Sequence, residues 1–193
     1  MFAVGDKVIH YTRGAGVITD KKEMRITETP RRYLVLQMLG STSTLMVPTD
    51  QAEERLRPAC KKTKLRRLLA SELASEPEEL PGDYKKRQKH LEGKLKSGET
   101  TEWIEVVRDL TYRDEQKQLS TGDRQLLDRA MDLLAGELAL AHGVPQEQAM
   151  PRLKSLIQRR DELAEHQSES SGWWQTLGQK VMEPFVRSSA GTS

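Results

Sequence analysis

Two rhythms of apolar residues run along this chain, and they change over near residue 60. Before that point, short apolar runs alternate with turn residues. KVIHY (7–11) gives way to TRGAG and then VIT (17–19); RRYLVLQML (31–39) gives way to GSTS and then TLMVP (44–48). Runs of this length predict four or five strands of a small, strongly bent antiparallel sheet or barrel. Gly14-Ala15-Gly16 falls where a hairpin turn is expected. Pro48 has no N–H to offer a ladder and is expected to end its strand.

After residue 60 the period becomes helical. TKLRRLLASELAS (63–75) carries Leu65, Leu68, Leu69 and Leu73 on one face. The stretch from Glu76 to Gly82, with its two prolines, breaks that helix. A second helix is predicted over 83–96, capped by Asp83, with Leu91 and Leu95 as its apolar stripe. A third, over 101–118, buries Trp103, Val106, Val107 and Leu110. Ser120 caps a fourth, with Asp123 at the capping-box position and Leu127, Met131, Leu134 and Leu138 inward. His142-Gly143 stops it. A fifth runs from Pro145 to about His166, and Pro151 marks either a kink or its true start.

The last stretch follows neither rhythm. HQSESSG has a linker composition. WWQTLGQKVMEPF then places Trp173, Leu177 and Val181 at i, i+4 and i+8, a short amphipathic segment with no assigned partner in the bundle. VRSSAGTS is expected to be disordered. The organisation expected is therefore α+β: a small antiparallel β domain at 1–59, an all-α domain of about five helices at 60–166, and a linker and tail at 167–193.

Charge changes this picture locally. The net charge of +2 on 193 residues hides an uneven distribution. KKTKLRR (61–67) holds five cations and no acid, and PGDYKKRQKH (81–90) adds Lys85, Lys86, Arg87 and Lys89, while acids collect in SELASEPEEL (71–80). Basic patches on a near-neutral chain point to an anionic partner met at one surface. The single cysteine, Cys60, makes no internal disulfide, which fits a reducing compartment. No signal-like core opens the chain and no run of about 18 apolar residues occurs, so a cytoplasmic protein without a membrane span is expected.

The chemistry of catalysis is not visible. His10, His90, His142 and His166 share no metal-ligand spacing, and Cys60 has no neighbouring histidine. Gly14-Ala15-Gly16 lacks the Gly-Lys-Ser/Thr of a phosphate loop and leads into a strand. No catalytic residue, metal or cofactor is assigned.

The basic run at 85–89 is more informative. Four cations in the first turn and a half of a helix oppose its macrodipole, which favours acids there. A solvated face is one reading; phosphates gathered at a helix N-terminus are the other. Tyr84 stands at the helix start, seven residues before Leu91 and beyond the end of the Leu91–Leu95 stripe. It packs on Leu80 and Pro81, or it is a ring held beside a basic patch, as in minor-groove wedges and base-stacking platforms.

The layout of these motifs resembles the CarD/CdnL family of bacterial transcription regulators. FAVGDKV (2–8) and GAGVI (14–18) open the β part; LKSGE (95–99), EVVRDL (105–110), LSTGDRQLLDRA (119–130) and LLAGELALA (133–141) follow in the helical part. The resemblance covers about residues 1–160 and leaves the tail outside. It implies a Tudor-like N-terminal domain that binds the β subunit of RNA polymerase through a sheet edge. It also implies a helical domain that touches promoter DNA, without sequence specificity, at the upstream edge of the transcription bubble and stabilises the open complex. The family's wedge position falls on Tyr84, and its basic DNA contacts on Lys86, Arg87, Lys89 and Arg124, with Lys85 in the same run. The polymerase-facing positions fall on Met24, Arg25, Ile26 and Met46. The chain departs from the family in having Tyr84 where tryptophan is usual, and Met24 and Met46 where arginines are usual. A cytoplasmic monomer, nucleoid-associated through RNA polymerase, is expected. The alternative is an adaptor that keeps the polymerase contact while its helices bind another protein. Membrane association through the tail is disfavoured, since Glu183 opposes Lys180 and Arg187 there.

Overall fold

A computed structural model describes residues 2–25 and 30–159. Strands β1 (Lys7–His10), β2 (Gly14–Met24), β3 (Arg31–Met38), β4 (Thr44–Pro48) and β5 (Leu56–Pro58) form one antiparallel sheet in the order β4-β3-β2-β1-β5. A 3-10 turn (Thr49–Gln51) and the one-turn helix α1 (Ala52–Arg55) carry the chain from β4 at one edge to β5 at the other. The β2–β3 register shifts between Ile18 and Asp20, an irregularity of the bulge kind. The predicted strands are present, and Pro48 ends β4. One detail is corrected: the turn after β1 is Tyr11–Arg13, and Gly14-Ala15-Gly16 already belongs to β2, paired with β1.

Five helices follow: α2 (Lys62–Ala74), α3 (Tyr84–Ser97), α4 (Thr100–Gln116), α5 (Thr121–His142) and α6 (Gln146–Gln158). Asp83 and Ser120 cap α3 and α5 with their side chains, and Gly98 and Gly143 end those helices in the left-handed conformation. Pro151 lies inside α6, whose first residue is Gln146. The predicted continuation of this helix to His166 and the amphipathic tail lie outside the described residues. No helix among the described residues is long and apolar enough to cross a membrane.

Alternation along β1 and β2 divides the interior. Val8 and Ile18 enter a core within the sheet, with Leu34, Leu36, Val47, Ala52 and Leu56. Ile9 and Ala15 join the helical core around Trp103, Ile104, Leu110 and Leu134. At the crossing of α5 and β2, Gly136 lets the backbones approach; a Cβ there would lie 2.9 Å from that of Ala15.

A buried polar joint fastens the same interface. Arg57 of β5 donates to both carboxylate oxygens of Glu137 in α5, at 2.7 and 2.9 Å, and to the Gly98 carbonyl at 2.6 Å. Glu137, fully buried, also accepts from the Cys60 backbone N–H and the Thr100 hydroxyl. Its burial pushes the carboxyl up, but the hydrogen bonds and charge of Arg57, with those from Cys60 and Thr100, outweigh it and hold Glu137 below the usual carboxylate range. The Arg57 guanidinium lies over the Trp103 ring at 5.3 Å.

Candidate functional site

The start of α3 is built as the capping pattern predicts. Asp83 accepts from the Lys86 N–H at 2.8 Å, and no acid follows in the first turn. Lys85, Lys86 and Lys89 point to solvent and have no carboxylate partner among the described residues. Three cations therefore stand free beside the positive end of the helix.

Arg87 is a correction. Expected among the phosphate contacts, it is only 4% exposed. The reason is helical phase: Arg87, Leu91 and Leu95 recur at i, i+4 and i+8, and all three are buried. Its guanidinium donates to both Asp123 oxygens at 3.0–3.2 Å, and to the Pro81 and Gly82 carbonyls at 2.9 and 3.1 Å. Asp123 also accepts from Gln88 at 2.7 Å, while its backbone N–H donates to Ser120. Asp123 thus ties the start of α5 to α3 through Arg87 and Gln88. Burial alone would raise its pKa, but Arg87, Ser120 and Gln88 together lower it, so the carboxylate stays charged.

This clamp forms the seat of Tyr84. The Arg87 guanidinium lies 5.8 Å from the Tyr84 ring centroid, within cation–π range. The hydroxyl end rests against Gly122 in the first turn of α5, where any Cβ would collide with it. The ring is nevertheless 49% exposed. It is held from below by a fixed cation and open above. Arg124, on the same end of α5, is half exposed and pairs with both Asp114 oxygens at 3.0 and 3.1 Å, so part of its charge is answered internally. Sequence reasoning missed Gln88, Gly122 and the Asp123 clamp. The spacing of Arg87 with Leu91 and Leu95 was the available signal for its burial; no pattern in one sequence pairs it with a residue 36 positions away.

The positions implied for the polymerase lie at the far part of the sheet. Among the described residues β4 is an edge strand paired with β3 alone, and Met46 on it is 43% exposed. Met46 stands opposite Val35, and Met24 opposite Arg31; the register and alternation place both methionines on one face. Arg25 follows β2 and is exposed. Ile26 lies outside the described residues.

Comparison with known proteins divides the chain as the fold does. The model of the CarD-like/TRCF RID domain matches residues 2–60, and that of the CarD C-terminal domain matches residues 67–154. A Bacillus subtilis (strain 168) protein named "Putative transcription factor YdeB" is 32% identical over 149 residues, covering 77% of this chain and 97% of that protein.

Proposed function

The chain belongs to the CarD family, and from that premise we propose that it is a non-enzymatic transcription regulator bridging RNA polymerase and promoter DNA. In this reading residues 1–59 bind the polymerase β subunit. The unpaired side of β4 offers backbone groups to a further strand, and Met24, Arg25 and Met46 set the side-chain contacts. Residues 60–166 present α3 to the upstream edge of the bubble. Lys85, Lys86 and Lys89 hold backbone phosphates, with Arg124 at the margin, and Tyr84 stacks on or wedges into the opened step. The result is a longer-lived open complex.

The observation that carries this reading is the seat of Tyr84. A half-exposed ring fixed on a buried guanidinium, next to three free lysines, is preorganised for a flat, anionic partner. The adaptor reading draws on a different observation: with Arg87 internal and Arg124 paired, two of the expected cations are already engaged. A pull-down with purified β subunit, run beside binding to a fork-junction promoter fragment, separates the two. The bridging account expects both to bind. Retention of the β subunit with no binding to the fork at low salt would leave the adaptor.

A further inference from the structure

The helical part carries a second surface that this function does not use. Between α2 and α6, above α5, lies an open groove of about 1040 Å³. Leu69 and Leu73 of α2, Leu138 of α5 and Leu156 of α6 line it. Lys64 and Arg67 on one side and Arg152 on the other stand at its rim, all exposed. Its volume is at the upper end of single-ligand clefts, about 300–1,000 Å³. It suits a row of side chains along a segment better than one compact molecule.

We infer that this groove is filled by the chain's own segment Trp173–Val181. Four observations favour this occupant over a foreign one. The described chain ends one turn beyond Leu156, on the wall of the groove, so the remaining residues leave from its edge. Thirteen residues, the length of Arg160–Gly172, would as a flexible link reach about 20 Å, comparable to the length of α2, about 20 Å. Such a tether supplies a local concentration on the order of millimolar, which makes even a weak contact prevail over competitors. The tether also matches the rim in charge: Asp161, Glu162, Glu165 and Glu169 against the single Arg160. Finally, Trp173, Leu177 and Val181 recur at i, i+4 and i+8, so a helical turn and more of this segment presents one apolar stripe to the leucine floor.

Tryptophan fluorescence of the full chain tests this. Trp103 is completely buried and serves as an internal check of the fold. Subtracting the emission of a Trp173→Phe/Trp174→Phe variant isolates the two tail tryptophans. Their quenching by acrylamide is expected to be severalfold weaker than in a free peptide of residues 167–185, and independent of protein concentration. Leu156→Arg, which puts a charge into the groove, should restore peptide-like quenching. Arg67→Glu/Arg152→Glu, at exposed sites where folding is not at stake, should move it the same way. Peptide-like quenching in the unaltered chain would overturn the inference. So would shielding that grows with concentration, which marks a second copy as the occupant, or shielding that persists in the two rim and floor variants while Trp103 stays buried.

Discussion

At the scale of single residues, the exposure of Tyr84 depends on the burial of Arg87 three positions later. The two give opposite mutational signatures. Arg87→Ala leaves Asp123 buried without its cation and should destabilise the protein by about 3–5 kcal/mol, visible as a lower Tm. Lys86→Glu reverses a solvent-facing charge and places an acid at the helix start, so Tm should hold or rise slightly while DNA binding weakens. Equal Tm losses in both would mean that Lys86 is structural as well. Gly122→Ala is more selective. It adds helix propensity of up to about 1 kcal/mol, so Tm should hold or rise, yet its Cβ occupies the place of the Tyr84 hydroxyl. The ring must move, and open-complex stabilisation should fall although the fold is intact. An unchanged promoter-complex lifetime in Gly122→Ala would detach the ring's position from function.

At the scale of elements, the sheet and the helices are joined by strands that serve two cores and by the Arg57–Glu137 pair. Glu137→Ala should cost about 3–5 kcal/mol, because Arg57 would remain desolvated with no carboxylate. Glu137 and Asp123 both titrate below ordinary carboxylates in the folded protein. Their stabilisation is therefore complete above the unfolded values, about pH 4, and is lost as pH falls through the lower folded values. Acid unfolding followed by circular dichroism should show a limb that is shallower in Glu137→Gln than in the parent; superimposable limbs would show that this carboxylate does not couple to folding. Much of this level was legible in the sequence. The strands, the five helices and the Asp83 and Ser120 caps follow from local pattern, because period and capping are local. The joints do not. Gly136, Glu137 and Asp123 lie inside the very strings, LLAGELALA and LSTGDRQLLDRA, that carry the family resemblance, but their partners Ala15, Arg57 and Arg87 come from other elements. By charge alone Arg87 is one cation among four; only its phase with Leu91 and Leu95 assigns it to the buried stripe. The short α1 and β5 were too brief for periodicity to mark.

At the scale of the whole molecule, the proposed bridge rests on a sheet edge at one part and a basic helix start with a seated ring at another. Three free lysines imply a weak, non-specific affinity for DNA with a log–log salt slope of about −2.7, which charge reversal at Lys86 and Lys89 should flatten by about two units. The most direct test of the bridge is the lifetime of competitor-resistant promoter complexes formed by cognate RNA polymerase with the unaltered protein and with Tyr84→Ala. Stacking of an aromatic on a base is worth about 1–3 kcal/mol, so loss of the ring should shorten the lifetime about tenfold, the equivalent of about 1.4 kcal/mol, while β-subunit binding stays unchanged and stability falls only by the cation–π contact with Arg87, about 0.5–1 kcal/mol. A folded, β-binding Tyr84→Ala protein that supports the full lifetime would contradict the account.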